Sequence, residues 1–306
     1  MGDTVGLVRS QSSDDITNSI YRVLDLIDFK IEKPVKKVAI KPNLCYYWDA
    51  STGYTTDPRV VSGIIDWVRD KCGEYTEIFV VEADASAMRT NLAFPILGYE
   101  KLAEEKNIKL YNLSDGPSTE NKVSVNNREM TFKTPQLLQE ANFFINVPKM
   151  KLMRISHITC GMKNIFGCIS SPLKNVYHPF LNTAIVGINK VLKPHLTVVD
   201  GLVGLGRNPI KLDLIMASKD VFSIDWIASE IMGYNPSTLE FLRIAEKEGF
   251  GSHNGIKTVG NNPEEFKQIF PKVGNIPTEY LWSLEIGLLK LYSKIVNDIV
   301  PPFVEN

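Results

Sequence analysis

Short apolar runs alternate with helix-like segments through the first third of the chain, and this alternation constrains the fold most. The strand-like runs cover residues 4–9, 36–41, 76–82 and 108–113. The helix-like segments between them cover about 12–28, 57–73 and 95–106. Parallel neighbours in a sheet need long crossover connections, which are usually helices. The sequence therefore predicts an α/β fold whose mainly parallel sheet carries helices on both faces.

The rest of the chain adds a hairpin to these elements. Residues 122–132 predict a β-hairpin that turns at Asn126-Asn127. Further strands are predicted at 141–147, 195–199 (ending at Asp200-Gly201) and 214–217, with helices at 183–192, 221–232, 236–248 and an apolar one near 279–300. Because no linker divides the chain, residues 1–306 are predicted to form a single α/β unit with a smaller, hairpin-containing lobe near 115–190.

The composition excludes several classes of protein. The 306 residues carry a formal net charge of −1, so no global field attracts nucleic acid, and we predict no nucleic-acid partner. The four cysteines contain no Cys-x-x-Cys pair and are too few for a disulfide scaffold. The N-terminal residues match neither a signal peptide nor a transit peptide. A reducing, cytoplasmic location is the resulting expectation.

Residues 147–168 concentrate positive charge. The basic side chains of this segment are Lys149, Lys151, Arg154, His157 and Lys163, and no carboxylate lies among them. Apolar residues alternate with these cations, and a charge held against an apolar wall interacts more strongly than one in water. Gly161 and Gly167 bracket Lys163-Asn164 and would let backbone N–H groups approach a ligand. The segment predicts the floor of an anion-binding pocket.

Polar residues follow the predicted strands at their carboxyl ends, where ligands bind in open parallel sheets. These residues are Lys41, Asn43, Glu82, Asp84, Lys149 and Asp200. Cations and carboxylates together suit the binding of an anion and the transfer of a proton. The alternative is capping of a loop for Glu82 and Asp84, and a solvated strand terminus for Lys41.

A histidine in the loop after Lys174 completes the predicted site. His178 lies close in sequence to the basic segment, and histidine exchanges protons near neutral pH. We predict an enzyme that acts on a small carboxylate- or phosphate-bearing molecule; the residues do not identify a cofactor. The predicted catalytic residues are His178, Lys149 and Asp200. The predicted ligand-binding residues are Lys41, Asn43, Lys151, His157, Lys163, Asn164 and Gly167.

Several motifs occur in an order that resembles a known family. They are Val38-Ala-Ile-Lys-Pro-Asn-Leu44, Thr55-Thr-Asp-Pro58, Val147-Pro-Lys149, Gly161-Met-Lys-Asn-Ile-Phe-Gly167, His178 and Val199-Asp-Gly201. Over about residues 38–233 the chain resembles the family catalogued as domain of unknown function 362. The resemblance implies the fold and the site positions but no reaction. Many members of that family carry an appended iron–sulfur domain, whose cysteine runs this sequence lacks. A fainter similarity, carried by Thr-Asp-Pro-Arg59, is to nickel-pincer lactate racemases.

Two other functions remain open on the sequence alone. The first is a redox or metallocofactor protein that works with a separate iron–sulfur partner through Cys160, Cys168 and His178. The histidines and cysteines lack the spacing typical of a metal site, so no metal ligand is predicted. The second is a non-catalytic protein that docks through residues 279–300. That apolar helix is expected in the core or at a homodimer interface, with a membrane surface as the alternative.

Overall fold

The computed structural model describes residues 3–10, 12, 15–31, 34–86, 88–153, 155–267 and 270. The apolar helix predicted near 279–300 lies outside these residues, and so does Arg154. The strands are β1 (Thr4–Arg9), β2 (Lys37–Pro42), β3 (Glu77–Glu82), β4 (Lys109–Asn112), β5 (Ser118–Val125), β6 (Arg128–Pro135), β7 (Phe143–Val147), β8 (Lys149–Met153), β9 (His157–Thr159), β10 (Leu196–Leu205), β11 (Pro209–Ser218) and β12 (Lys257–Gly260). The helices are α1 (Ile16–Leu26), α2 (Pro58–Cys72), α3 (Thr90–Ile96), α4 (Tyr99–Lys106), α5 (Gln136–Glu140), α6 (Gly161–Phe166), α7 (Leu181–Val191), α8 (Val221–Ile231) and α9 (Glu240–Lys247).

One long sheet organises this part of the chain. Its strands follow the order β12-β1-β11-β10-β7-β2-β3-β4, and along this path β11 runs against the direction of the others. The chain leaves β7 at Pro148 and continues as β8, which pairs with the second half of β10 so that Lys149 lies opposite Asp200. Strand β9 then turns back against β8. The prediction of a mainly parallel α/β sheet is confirmed.

Helices cover both faces of the sheet, because successive side chains of a strand point to opposite sides. In β3, Ile78 and Val80 join the buried apolar cluster of α1 and α2, whereas Phe79 and Val81 join the cluster of α6 to α9. The two layers bury the central strands on both faces, which suits their near-continuous apolar sequences. Because β2, β3 and β7 are parallel neighbours, their carboxyl ends lie side by side at one end of the sheet.

Local sequence signals set two of the predicted boundaries. Asp57 caps α2 by accepting a hydrogen bond from the Arg59 N–H, and Pro58 occupies the first helical position. Asn126 and Asn127 adopt φ values of +50° and +61° and join β5 to β6 in a two-residue turn. The hairpin forms its own two-stranded sheet and packs on α7. The division of the chain into one unit with a smaller lobe near 115–190 stays a prediction.

Three predicted elements differ from the structure in extent. The helix predicted at 95–106 is two helices, α3 and α4, because Gly98 adopts a left-handed φ of +79° between them. The helix predicted at 236–248 is a 3-10 turn, Pro236–Thr238, followed by the separate helix α9, because Leu239 between them is extended. Strand β10 continues past Gly201 to Leu205, with an irregularity in its pairing between Gly201 and Val203. Asp200 therefore lies inside a strand, not at its end.

Candidate functional site

The ends of β2 and β3 meet at a buried ion pair. The Lys41 ammonium lies 2.8 Å from both oxygens of the Glu82 carboxylate, and both side chains are almost fully buried. Glu82 also accepts hydrogen bonds from the N–H groups of Leu44 and Ala83, which hold it in place. Asn164 of α6 joins the pair, because its side-chain oxygen accepts a hydrogen bond from Lys41 at 3.2 Å. The ion pair and its amide partner connect β2, β3 and α6.

A second buried ion pair joins β8 to β10. The Lys149 ammonium donates to the Asp200 carboxylate at 3.1 Å, and the two side chains are 1% and 0% exposed. Asp200 also accepts hydrogen bonds from the N–H groups of Asp57 and Leu202. Burial raises the pKa of Asp200, and the Lys149 charge opposes that rise. The expectation that the basic segment lacks acidic neighbours is therefore wrong for Lys149.

The first turn of α6 already holds a carboxylate of the protein itself. The N–H groups of Gly161 and Met162 donate to Asp225 of α8 at 2.5 and 3.0 Å. Burial raises the pKa of this carboxyl to about 7, and the two N–H donors oppose the rise. The prediction that Gly161 offers its N–H to a ligand is wrong, because Asp225 occupies that position. A carboxylate flanked by Ile224 and Trp226 inside the apolar helix α8 was the sequence signal for this residue.

Gly167 makes room for Lys41. Its φ of −60° lies in the ordinary helical region, so its backbone conformation does not require glycine. A Cβ at this position would lie 3.0 Å from Cε and Nζ of Lys41, too close for normal packing. The contact is with the lysine of the first ion pair, and the predicted approach of a ligand to Gly167 stays a prediction.

Lys151 is buried without a carboxylate partner. Its ammonium donates to the Asn43 side-chain oxygen at 2.6 Å, to the Tyr54 carbonyl at 2.9 Å and to the Cys45 sulfur at 2.9 Å. Only 3% of the residue is exposed. Asn43 in turn donates to Asn164 at 2.9 Å, so the amide network continues to the first ion pair. Sequence reasoning did not single out Cys45 as part of this group.

Lys163 lies on α6 next to this group and is partly exposed. Burial, and then the charge of Lys151, lower its pKa to about 8, and Cys45 acts in the opposite direction. No hydrogen bond or ion pair engages its ammonium among the residues that the structure describes. Burial, and then the charge of Lys163, lower the pKa of His178 to about 4. Lys151 and Lys163 are therefore electrostatic neighbours, and we call these two lysines the cationic group; His178 lies beside Lys163.

Two further basic residues have other partners. The His157 ring packs beside Tyr234, with ring centroids 6.2 Å apart, and the residue adopts a left-handed φ of +61°. Lys174, which sequence reasoning did not assign to the site, is buried and donates to the carbonyl of Asp84 at 2.6 Å. The Asp84 side chain accepts a hydrogen bond from the Thr90 N–H at the start of α3, so it acts as a helix cap. Burial lowers the pKa of Lys174 to about 8.

The cysteines considered for redox chemistry are fully buried. Burial raises the pKa of Cys168 to about 12 and that of Cys160 well above its ordinary value. Cys160 lies beside the Asp225 carboxyl, whose negative charge disfavours a thiolate. Within the described ranges, no three histidine, cysteine or carboxylate side chains are grouped so that they could hold a metal ion.

A surface groove lies away from all of these residues. It has a volume of about 510 Å³ and lies where α1 meets the edge formed by β1 and β12. Apolar side chains together with Arg22, Asp25 and Asn261 line it. None of the predicted site residues lines this groove, so it does not correspond to the anion-binding pocket predicted from the sequence.

A comparison with family models identifies the family. Residues 38–230 match the model described as domain of unknown function DUF362, which covers more than half of the chain. The chain belongs to this family. The resemblance carried by the motifs between Val38 and Gly201 is thereby confirmed.

Known relatives add context. The chain is 25% identical over 266 residues to a thylakoid-associated protein from Synechocystis sp., an alignment that covers 81% of this chain and 80% of the relative. None of the helices in the described part of the chain is long and apolar enough to cross a membrane.

Two solved structures are similar in fold at 11% sequence identity. The lactate racemase apoprotein from Thermoanaerobacterium thermosaccharolyticum gives a TM-score of 0.48, with 76% of this chain and 57% of that chain covered. A structural-genomics protein from Thermotoga maritima gives 0.44, with 78% and 58% covered. The chain thus spans less than two thirds of the length of either solved protein.

Proposed function

We propose that this protein is an enzyme that binds a small carboxylate- or phosphate-bearing molecule at the cationic group and exchanges a proton with it. The observation that supports the proposal is the Lys163 ammonium, which lies partly exposed beside Lys151 without a carboxylate partner in the described part of the chain. Two desolvated ammonium groups side by side raise the free energy of the ligand-free protein. A bound anion would remove that cost.

An anion would bind to the lysines that lack a carboxylate partner and not to those that have one. The charges of Lys41 and Lys149 are already balanced by Glu82 and Asp200. Lys151 has only neutral oxygens and a sulfur as partners. An incoming carboxylate or phosphate would therefore be attracted to Lys151 and Lys163, where charge-assisted hydrogen bonds are strongest in a low dielectric.

The proton transfer would use His178 and Lys163. A histidine whose pKa is lowered to about 4 is neutral at pH 7 and can accept a proton. A lysine whose pKa is lowered to about 8 lies close to the pH at which it can donate one. In this scheme Lys149 and Asp200 position the site, because their ion pair holds β8 and the start of α2 in place and leaves neither side chain exposed.

A ligand screen on a matched pair of variants tests the proposal. Wild-type protein, Lys163→Met and Lys122→Met would be screened by thermal shift against a panel of anionic metabolites. Lys122 is an exposed lysine on β5 and is the control for loss of one positive charge. We expect that at least one anion stabilises the wild type and Lys122→Met, and that the stabilisation is lost in Lys163→Met. Equal stabilisation of all three proteins by every active anion would remove Lys163 from the binding site.

A further inference from the structure

We infer that Cys45 is a nucleophile at the edge of the cationic group and reacts covalently, as its thiolate, with electrophilic small molecules that carry an anionic group. The inference uses the site of the proposed function and adds a reacting atom to it. Cys45 is partly exposed, whereas Cys160 and Cys168 are fully buried.

The hydrogen bonds of Lys151 engage this sulfur directly. A lysine ammonium has three N–H donors. In Lys151 they are directed at the Asn43 side-chain oxygen, the Tyr54 carbonyl and the Cys45 sulfur. The two oxygens are neutral groups that do not ionise. Since a buried ammonium needs a compensating charge, the sulfur is the acceptor that can supply it.

A second ammonium acts on the same sulfur. Lys163 interacts electrostatically with both Lys151 and Cys45, so its charge adds to the positive field around the thiol. Thiols beside lysine side chains are the ones that become reactive in proteins. For Cys72, the other partly exposed cysteine, burial raises the pKa.

An unpaired hydroxyl lies opposite Lys151 on the neighbouring strand. Thr159 on β9 lies directly opposite Lys151 on β8, so the two side chains share one face of the sheet. Its Oγ1 is buried and has no hydrogen-bond partner in the described part of the chain. A buried hydroxyl without a partner costs free energy, which an oxygen of a bound molecule would recover.

The reaction can be measured with iodoacetate, which combines an electrophilic carbon with a carboxylate. The Cys45 thiolate attacks the methylene carbon, a C–S bond forms, and the C–I bond breaks with its electron pair leaving as iodide. No proton is released, because the thiolate carries none. Iodoacetamide undergoes the same displacement without the carboxylate, so the ratio of the two rates reports the preference for an anion.

The first experiment compares two cysteines of the same wild-type molecule. Native protein would be treated with limiting iodoacetate at pH 7, and the rates at Cys45 and Cys72 would be followed by peptide mass spectrometry. We expect Cys45 to react at least about tenfold faster than Cys72, with a higher ratio of iodoacetate to iodoacetamide. A Cys45 rate equal to or below that of Cys72 would overturn the inference. A fast reaction without preference for iodoacetate would overturn the anionic class of the reagent.

Variants of Lys151 give an independent check. Lys151→Met removes the ammonium and is expected to lower the Cys45 rate at pH 7 toward that of Cys72. Lys151→Arg retains a positive charge and is expected to preserve most of the wild-type rate. A Cys45 rate unchanged in Lys151→Met would contradict the pairing. The Cys72 rate, measured in each variant, reports whether the fold is intact, because a loosened fold accelerates both cysteines.

The alkylation result and the thermal-shift result can fail separately. Rapid alkylation of Cys45 together with no anion stabilisation would leave the thiolate and reject the metabolite site. Conversely, thermal stabilisation by an anion that depends on Lys163, together with slow alkylation of Cys45, would support the metabolite site and reject the reactive cysteine.

Discussion

Two pairs of lysines lie close together in this fold and differ in what surrounds them. Lys41 and Lys149 each face a buried carboxylate, at 2.8 and 3.1 Å respectively. Lys151 and Lys163 have no carboxylate partner among the described residues. Lys149 and Lys151 are two residues apart on one strand, yet only the first reaches Asp200. Two neighbouring cations of one strand thus differ: Lys149 belongs to an ion pair with a carboxylate, and Lys151 does not.

This difference suggests how to distinguish the lysines that stabilise the fold from those proposed to bind a ligand. A buried ion pair is costly to break, because removal of one partner leaves an uncompensated charge. An unpaired buried ammonium is already uncompensated, so its removal costs the ligand-free protein little. Stability measurements should therefore distinguish the two classes of lysine, whereas ligand binding should depend on the second class.

The largest effect is expected from Lys149→Met. The change leaves the Asp200 carboxylate buried without its ammonium, and we expect the free energy of unfolding to fall by about 3–5 kcal/mol. Urea denaturation at pH 7 measures this loss. In the double variant Lys149→Met/Asp200→Asn the buried charge is absent and an acceptor oxygen remains for the Asp57 and Leu202 N–H groups, so part of the stability should return. A loss below about 1 kcal/mol would show that the pair is not structural.

The second largest effect is the change of stability with pH that the Asp225 carboxyl causes. Its pKa is raised from 3.8 to about 7, chiefly by burial. Between these values the unfolded chain releases the proton that the folded protein retains, so this group lowers stability as the pH rises from about 4 to about 7. The decrease should be on the order of a few kcal/mol in wild type and smaller in Asp225→Asn.

Urea midpoints at pH 4.5 and pH 7.5 for both proteins provide the measurement. Other titrating groups are common to the two chains and cancel in the difference. The same pH dependence in Asp225→Asn as in wild type would rule out this carboxyl as its source.

A smaller effect is expected from Lys163→Met without ligand. Because the lysine is a cation without a carboxylate partner, its removal should not lower the free energy of unfolding at pH 7, in contrast to Lys149→Met. Its pKa is lowered from 10.5 to about 8, so between these values the unfolded chain binds the proton more often than the folded protein. Wild type should therefore gain stability relative to the variant as the pH rises from 8 to 10. Destabilisation as large as that of Lys149→Met would contradict the comparison.

The smallest effect is a change in the titration of His178. The charge of Lys163 contributes to the lowered pKa of about 4, after burial. In Lys163→Met the pKa should therefore rise and yet stay below 6.5, since burial persists. Titration of histidine ring protons by NMR measures it. His195 provides the control, because burial lowers its pKa without a contribution from Lys163. An unchanged pKa of His178 in Lys163→Met would show that the charge of Lys163 does not act on His178.

The fold could be predicted from the sequence to a large extent. The strand and helix alternation predicted the parallel sheet, and the Asp57-Pro58 and Asn126-Asn127 pairs predicted a helix start and a turn. These signals act over a few residues. The break at Gly98 and the continuation of β10 past Asp200 were missed, because the packing of neighbouring elements decides where a helix or strand stops.

The candidate site was predictable only in part. The motifs indicated Lys41, Asn43, Lys151 and Asn164, which the fold joins in one hydrogen-bond network. The partner relationships were not predictable. Asp225 meets Gly161 across 64 residues, and Lys41 meets Glu82 across 41. From the sequence alone, all cations of the basic segment were therefore expected to lack a carboxylate partner, although Lys149 pairs with Asp200.

By itself the sequence determined the class of fold, the order of its elements and the concentration of basic residues after β7, because periodicity, capping and local composition are properties of neighbouring residues. The tertiary structure alone decided which lysines are balanced and which are not. Charge compensation depends on distances of 3–4 Å between side chains that are far apart in the chain, and only the packing of β2, β3, β8, β10 and α6 sets those distances.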